Sequence, residues 1–456
     1  MNLKKLTKTQ LRRVARKVGV YVTSTDQKSD ILQKLIAPLG HYSMMGDLPL
    51  ELISSYIGPG LDTRSLANLS LTSRENRELL LPELESRPFS ADDTTIRTAV
   101  EHYLRNPTEA TEIYGPISSW DVSRVTDMSG LFKTRRLPRI SVEGYRGWEV
   151  REMEENVRSF NAQVRRFNAD LSNWDVSRVI NMSEMFTNAR SFNGDLSNWN
   201  VSRVTNMSRM FDGATSFNGD LSNWDVSRVT NMSSMFWGAI SFNGDLSNWD
   251  VSRVTDMRQM FREARSFNGD LSNWDVSQVK GMSRMFDGAT SFNGDLSNWD
   301  VSQVTTMRAM FNRASSFNAD PSNWDVSRVT DINGMFTNAR SFNADLSNWN
   351  VSRVTNMNGM FWNAESFNAD LSNWDVSQVT NMRFMFYDAR SFNADLSNWD
   401  VSRVTDMGEM FFKASRFNGD LSNWDVSRVT NMRAMFKYAS SFNPDNAPWC
   451  NEDCFY

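Results

Sequence analysis

Apolar residues recur along most of this chain with a fixed period of 25 residues. The stretch FNGDLSNWDVSRVTNMSSMFWGAIS (217–241) repeats with little change, and one tryptophan marks each copy. The regular tryptophans are Trp174, Trp199, Trp224, Trp249, Trp274, Trp299, Trp324, Trp349, Trp374, Trp399, Trp424 and Trp449. A constant period of this size is typical of repeat architectures, in which each unit buries its apolar face against its neighbours. Most of the chain is therefore predicted to be a scaffold of stacked units.

Within one unit the hydrophobic pattern follows neither a strand period nor a helix period throughout. The apolar residues that follow Trp224 are Val226, Val229, Met232, Met235, Phe236, Ala239, Phe242 and Leu246. We expect VTNM to form a very short strand and MSSMFWGA, capped by Asn231, to form one or two turns of helix. Gly, Asn, Asp and Ser dominate the remaining positions, as tight turns require.

The motif FNxDLSNWDVSxVTxMxxMFxxA is similar to the repeats of the BspA-like family of bacterial surface proteins, which is related to leucine-rich repeats. The resemblance implies a solenoid used for binding. The predicted fold class is a leucine-rich-repeat-like repeat solenoid, with short parallel strands plus short helical turns in each 25-residue coil, preceded by small all-α N-terminal modules. The solenoid is predicted to span 117–449, with a C-terminal cap over 450–456.

The repeats are irregular over 133–166. Phe160 follows Trp148 by 12 residues, which is also the step from tryptophan to phenylalanine in the regular units. We therefore expect 148–166 to be a degenerate repeat. The basic piece 133–147 is expected to form a loop that projects from the array.

The segment 91–116 is predicted to be a helical cap at the N-terminal end of the repeats. One helix is expected over 91–106, because its apolar residues follow a helical spacing. These residues are Ile96, Ala99, Val100, Tyr103 and Leu104. An atypical unit is expected at this place, since the bare end of a repeat array would aggregate.

The segment 46–90 carries three short helical patterns. Leu-Pro-x-Glu-Leu, then Leu-Asp-x-x-Ser-Leu, then Leu-Thr-Ser-Arg resembles an F-box, a module that docks a Skp-type adaptor and recruits a cullin ubiquitin ligase. The resemblance implies adaptor contacts at Leu48, Pro49, Leu52, Ile53, Leu61, Leu66 and Leu69. The alternative is a helical hairpin that only joins the preceding module to the repeats.

Residues 1–40 form a basic segment, with nine Lys or Arg against two Asp, in a chain whose net charge is −5. The pattern of helix, extended piece and helix resembles the SAP and Rho-N-terminal-like modules, which often bind DNA or RNA. The resemblance implies phosphate contacts at Lys8, Arg12, Arg13, Arg16, Lys17 and Lys28. The alternative is a solvated pair of basic helices that contacts protein.

Composition argues against several other classes of protein. No apolar run is long enough for a transmembrane helix and no secretory signal opens the chain, so we expect an intracellular protein, in the cytoplasm or nucleus, without membrane contact. Two histidines and no phosphate-binding loop leave no catalytic arrangement, so an enzyme is not expected. Neither a metal nor a cofactor is expected. The methionines are interpreted as core filler, the repeated aspartates as corner hydrogen-bond acceptors, and Cys450 and Cys454 as part of the C-terminal cap, packed or loosely paired.

Variation between repeats is concentrated 9, 10, 13, 14 and 16 residues after each tryptophan. Binding repeat proteins carry their specificity at such varying positions. Aromatic residues at these positions predict one exposed row and a smaller second spot, and the alternative is that the rings simply pack against one another. The row is Trp362, Phe384, Tyr387, Phe412 and Tyr438, and the spot is Trp237 and Ile240.

The sequence therefore predicts a non-enzymatic interaction scaffold. The leading hypothesis is a substrate-recognition adaptor of a ubiquitin ligase, in which the solenoid binds the target protein. The alternatives are a nucleic-acid-associated scaffold tethered by 1–40, and a structural or adhesive surface repeat protein.

Overall fold

The computed structural model describes Gln27, residues 89–137 and residues 147–456, and for residues 147 and 148 it describes the main chain only. The predicted adaptor contacts within 46–90 and the predicted phosphate contacts within 1–40 lie outside these ranges. The chain divides into two compact bodies, which are Met1–Thr126 with Ala169–Arg178, and Asp127–Asn168 with Val179–Tyr456.

Helix α1 (Thr95–Arg105) opens the helical part of the first body. It begins at Thr95 rather than at residue 91, because the carboxylate of Asp92 accepts the main-chain N–H of Thr95 at 2.8 Å. Burial on this helix follows the stripe that the sequence indicates. The buried residues are Ile96, Ala99, Val100 and Leu104.

A second helix that the sequence analysis did not predict follows at once. Helix α2 spans Pro107–Tyr114, and the side chain of Asn106 caps it by accepting from the main-chain N–H of Glu109. Proline is favoured at the first position of a helix because its missing N–H would be unpaired there anyway. A short 3₁₀ turn, Ile117–Ser119, then leads into the first repeat.

The repeat of Trp120 lies directly against the repeat of Trp174. Their indole rings stack with centroids 6.3 Å apart and planes at 18°. The indole N–H of Trp174 donates to the carbonyl oxygen of Ile117 at 2.8 Å. Regular units make the same bond, as from Trp224 to Leu196 at 3.0 Å. No further repeat therefore fits between Trp120 and Trp174.

The prediction of a degenerate repeat over 148–166 is wrong, because this segment is a helix. Helix α3 spans Gly147–Arg166 in the second body. Its apolar residues recur at intervals of three and four, which is the spacing of one helix face, and they include the buried Phe160 and Val164. The 12-residue step to Phe160 suggested a repeat only because that single spacing matched.

In the second body each unit pairs with the next through one parallel β-bridge. The bridged residue lies seven positions after the tryptophan of its unit. The bridged residues are Asp127, Asn181, Asn206, Asn231, Asp256, Gly281, Thr306, Asp331, Asn356, Asn381, Asp406 and Asn431. The described residues of the units hold no longer strand and no α-helix. The expected strand is thus reduced to one residue, and the expected helical turns are replaced by consecutive tight turns.

One set of main-chain hydrogen bonds runs from each unit to the next, while the N–H of Thr230 donates back to Thr205 of the preceding unit at 2.9 Å. The alternate N–H groups of the unit of Trp224 donate from Met232 to Asp256 (3.0 Å), from Ser234 to Arg258 (2.8 Å), from Phe236 to Met260 (2.9 Å) and from Gly238 to Arg262 (2.7 Å). The intervening N–H groups bond within the unit, as from Met235 to the carbonyl oxygen of Met232 at 3.1 Å. Buried main-chain donors are thereby paired, as folding requires.

The backbone of each regular unit contains two residues in the left-handed conformation, with positive φ. In the unit of Trp224 they are Ser234, with φ of 57°, and Gly238, with φ of 67°. Many units place other residues there, such as Phe384 with φ of 60° and Arg313 with φ of 60°. Residues with a side chain rarely adopt this conformation, so the stacking interactions hold strained backbone in place.

The core consists of side-chain columns that run through the units. Trp224 and Trp249 stack with ring centroids 6.4 Å apart and an interplanar angle of 0°. Within one unit Phe236 lies 4.0 Å from Phe242, again centroid to centroid. Met232 is fully buried beside them, which agrees with the interpretation of the methionines as core filler.

Polar side chains fix the corners of each unit. The carboxylate of Asp220 accepts the main-chain N–H of Ser222 at 2.9 Å, and this bond lowers the pKa of Asp220. The side-chain oxygen of Asn218 accepts the main-chain N–H of Asn243 at 2.8 Å, and the same link recurs from unit to unit. The repeated Asp and Asn residues therefore act as hydrogen-bond acceptors for turns.

Residues 450–456 cover main-chain donors of the last unit. The N–H of Ala434 donates to the carbonyl oxygen of Asp453 at 2.7 Å, and that of Phe436 donates to Cys454 at 2.8 Å. Cys450 and Cys454 are joined by a disulfide bond. The segment thus takes the place that a following repeat would occupy.

Candidate interaction face

The positions that vary between repeats project from the tight-turn segment. In the unit of Trp224, Met232, Met235, Phe236 and Ala239 of that segment are buried, as is Ser234, while Ser233, Trp237 and Gly238 are partly exposed and Ile240 is exposed. We call the surface formed by positions 9, 10, 13, 14 and 16 after each tryptophan the variable face. Because neighbouring units stack in register, side chains at one position follow each other along the second body.

Five aromatic side chains on the variable face form one connected row, which we call the aromatic stripe. Trp362 stacks on Phe384 with ring centroids 5.1 Å apart and meets Tyr387 at 5.3 Å. Tyr387 stacks on Phe412 at 4.6 Å, and Phe412 meets Tyr438 edge-on at 5.3 Å. The structure therefore brings together all five residues that the sequence places in this row.

Exposure is greatest at the two ends of the stripe. Trp362 is 38% exposed and Tyr438 is 63% exposed, whereas Phe384, Tyr387 and Phe412 are half-buried by their neighbours. Partial burial, followed by the nearby Glu409 and Asp388, raises the pKa of Tyr387. The stripe thus offers apolar ring surface to solvent while its middle is held in place.

Cations that the sequence analysis did not single out lie over the rings. The guanidinium of Arg383 is 4.4 Å from the centroid of Phe384. The ammonium of Lys413 is 5.5 Å from the ring of Phe412. Lys437 is 5.4 Å from the ring of Tyr438. Such contacts are cation–π interactions, which stabilise a charge on a ring face.

Trp237 is the centre of a second cluster on the variable face. Its ring lies 4.8 Å from the guanidinium carbon of Arg262 and 6.0 Å from that of Arg209. Ile240, three residues further along, is 40% exposed. Trp237 itself is half-buried, so this spot exposes less ring surface than the end of the aromatic stripe.

An ion-pair network continues from Trp237 toward the next units. Arg262 lies 3.1 Å from the buried carboxylate of Asp287. Arg313 contacts Asp287 at 2.9 Å and Glu263 at 2.7 Å. The residues of this network come from positions 13 and 14 of different units. We call Trp237 and this network the tryptophan cluster.

A half-buried carboxylate stands at the edge of the tryptophan cluster. Burial raises the pKa of Asp212 to about 6, and the charge of Arg209 only partly opposes this effect. Glu184 adds to the rise, although Lys133 and Arg209 both pair with it. Asp212 is therefore the group on this face whose charge changes nearest to neutral pH among those with a shifted pKa.

The described residues hold no group of three or more His, Cys, Asp or Glu side chains placed to bind a metal ion. In the same part of the chain no helix is both long enough and apolar enough to cross a membrane.

Comparison with protein families places the repeats. Four overlapping matches, over residues 138–232, 219–323, 295–390 and 369–454, are to the family described as Mycoplasma protein of unknown function, DUF285. The chain belongs to this family. The tandem matches show a repeated family, compatible with the BspA-like repeats, and they do not reach the F-box-like and SAP-like segments. No curated protein matches the chain.

Proposed function

We propose that this member of the DUF285 family is a non-enzymatic scaffold, built as a leucine-rich-repeat-like solenoid, that binds a protein partner on its variable face. The observation that carries the proposal is the aromatic stripe. Its rings contact one another across consecutive units, and Trp362 and Tyr438 expose apolar surface at its ends.

Physical chemistry favours a protein partner for such a surface. Burying a group of exposed rings against a partner removes apolar surface from water, which favours binding. Trp and Tyr also supply a large share of the binding energy in protein interfaces. The rings are also held by stacking, as Tyr387 on Phe412, so little side-chain entropy is lost on binding. Core residues such as Met232 repeat almost unchanged and hold the array together, whereas the variable face differs between units.

The proposal extends to the ubiquitin-ligase adaptor role implied by the F-box-like residues of 46–90. This extension rests on the sequence resemblance alone. A purified Skp-type adaptor should bind the full-length chain, and Leu52→Asp should abolish that binding, because a charge would enter the apolar contact. Equal binding by the wild type and by Leu52→Asp would refute the adaptor role without touching the scaffold proposal.

Binding measurements with stripe variants test the scaffold proposal. Partners captured by the full-length chain are identified, purified and titrated against the wild type and against Trp362→Ala with Tyr438→Ala. We expect the double variant to bind about tenfold or more weakly, since two anchoring rings are lost. Arg353→Ala, outside the variable face, is the matched control. Equal affinities for all three proteins would contradict the proposal.

A further inference from the structure

The two clusters on the variable face differ in how their charges are neutralised. In the tryptophan cluster Arg313 forms ion pairs with Asp287 and Glu263, and Arg262 forms one with Asp287, at 2.7–3.1 Å. These cations and carboxylates neutralise each other within the protein. A charged partner would have to compete with ion pairs that are already short and partly buried.

The cations of the aromatic stripe are less well neutralised. Arg383 has one ion pair among the described residues, a long contact of 3.8 Å to Glu409; its buried Nε, like that of Arg262, has no hydrogen-bond acceptor there. Lys413 forms no ion pair within the described part of the chain and is exposed. Lys437 donates one bond, to the main-chain oxygen of Tyr456 at 3.1 Å, and an ammonium has three donors.

Opposing carboxylates do not balance these groups. Asp388 is taken by Arg390, at 2.8 Å, and so is not available to the three cations over the rings. The carboxylate of Glu409 lies 3.8 Å from the guanidinium of Arg383, which is a long ion pair. The stripe therefore presents apolar rings together with three cations that form no ion pair shorter than 3.8 Å to a side-chain carboxylate among the described residues.

We propose that the aromatic stripe binds an acidic peptide segment of the partner protein, with carboxylates on Arg383, Lys413 and Lys437 and apolar side chains on Trp362 and Tyr438. This inference rests on the proposed function and names the chemistry of the partner. Charge-assisted bonds from Arg and Lys to carboxylates are about twice as strong as neutral hydrogen bonds. The row of rings is one to two side chains wide, which suits a linear segment.

The arrangement of the rings favours a peptide over single-stranded nucleic acid. Proteins that bind single strands stack bases on free aromatic faces. Here Arg383 covers a face of Phe384, Lys413 lies over Phe412, and Tyr387 stacks against Phe412. The ring faces are therefore largely occupied, while ring edges and cationic donors remain on the surface.

The test uses the purified full-length chain and short synthetic peptides built from Glu-Leu-Glu triplets, with Gln-Leu-Gln and Lys-Leu-Lys peptides and a single-stranded DNA for comparison. Fluorescence anisotropy should show the Glu peptide binding at least about tenfold more tightly than the Gln peptide, with affinity falling as salt rises. The triple variant Arg383→Gln, Lys413→Gln and Lys437→Gln should lose most of this preference.

A matched triple variant provides the control. Arg203→Gln, Arg228→Gln and Arg253→Gln remove the same charge from exposed residues outside the variable face, and should leave binding of the Glu peptide unchanged. Equal binding of the Glu and Gln peptides, or equal effects of the two triple variants, overturns the inference. Preferential binding of DNA that the stripe variant removes also overturns it. If the stripe still binds the protein partner in these cases, the proposed function stands alone.

Discussion

The main-chain N–H of Phe236 donates to the carbonyl oxygen of Met260, 2.9 Å away in the following repeat unit. The equivalent donor of Phe261 meets Met285 at the same distance, so the bond recurs along the stack in one direction. Each unit thus depends on the unit after it to pair this set of donors. For the unit of Trp424, residues 450–456 provide the acceptors.

Removing 450–456 should therefore destabilise the C-terminal end. The main-chain N–H groups of Ala434 and Phe436 would lose the acceptors that Asp453 and Cys454 provide, and unpaired buried donors cost about 1–3 kcal/mol each. We expect a lower thermal midpoint and concentration-dependent aggregation, measured by circular dichroism and light scattering. Asp453→Ala keeps the main-chain acceptor and should behave like the wild type. An unchanged midpoint after truncation would show that the segment is not a cap.

Ala309→Gly should stabilise the protein, against the usual rule. Ala309 has φ of 52°, a conformation that costs a residue with a side chain about 1–2 kcal/mol. Glycine removes this strain but adds chain entropy to the unfolded state, so the expected net gain is about 0.5–1 kcal/mol. Urea denaturation measures the change.

Ala314→Gly is the matched control for this prediction. Ala314 is fully buried and is not left-handed, so the same substitution should destabilise by about 1 kcal/mol. If both variants lose stability to the same extent, the backbone path described for the units is incorrect.

Asp212→Asn should raise stability at pH 7. Burial raises the pKa of Asp212 to about 6, so the folded chain holds a carboxylate that prefers to be protonated. The gain should be about 1–2 kcal/mol, below the full value of the shift because the group is half-buried. As pH falls from about 6 toward 4 the folded wild type takes up the proton, and its disadvantage against the variant should disappear.

Asp220→Asn should change stability at pH 7 in the opposite direction to Asp212→Asn. The N–H of Ser222 lowers the pKa of Asp220, so the wild-type carboxylate favours folding above its unfolded pKa of 3.8 and loses that effect as pH falls further. The variant should therefore be the less stable protein at pH 7. Parallel pH profiles for Asp212→Asn and Asp220→Asn would contradict the assigned environments.

Trp299→Ala and Trp362→Ala should have very different effects on stability. Trp299 is 2% exposed, and its indole N–H donates to the carbonyl oxygen of Leu271 at 3.0 Å. Its loss should cost about 3–5 kcal/mol. Trp362 is 38% exposed, so its removal should cost about 1 kcal/mol or less and affect binding instead. Comparable losses of stability would mean that Trp362 belongs to the core.

Asn293→Ala should weaken the link between two units. The side-chain oxygen of Asn293 accepts the main-chain N–H of Asn318 at 2.8 Å. We expect a loss of about 1 kcal/mol, typical of one hydrogen bond. Asn293→Asp keeps an acceptor oxygen and should retain most of the stability. Chemical denaturation of both variants distinguishes a hydrogen-bonded ladder from a passive row of asparagines.

The sequence predicted the core columns because a 25-residue period places equivalent residues above one another, as with Trp224 and Trp249. It did not predict the path of the chain within a unit. Met232, Met235 and Phe236 have helical spacing, yet the residues between them include the left-handed Ser234. Left-handed positions occupied by residues other than glycine hide a series of turns from sequence analysis.

Some contacts of the candidate site could likewise be predicted from the sequence, and others could not. The alignment of Trp362, Tyr387 and Phe412 follows from the period alone. The contact between Arg313 and Glu263 does not, because it joins residues 50 positions apart in two units that are not consecutive. Charges at positions 13 and 14 of several repeats are visible in the sequence, but which cation meets which carboxylate depends on the stacking of the units.

Because the same bonds recur between all neighbouring units, the chain can change length in whole blocks. The main-chain N–H of Phe236 meets a carbonyl oxygen whose equivalent is present in all the regular units. A whole 25-residue block can therefore be added or removed, and the units on either side of the change still form the same hydrogen bonds. Trp237 and Trp362 stand at the same position of their units, five blocks apart. The number of blocks between them therefore acts as a spacer of adjustable length, which sets how far the tryptophan cluster lies from the aromatic stripe.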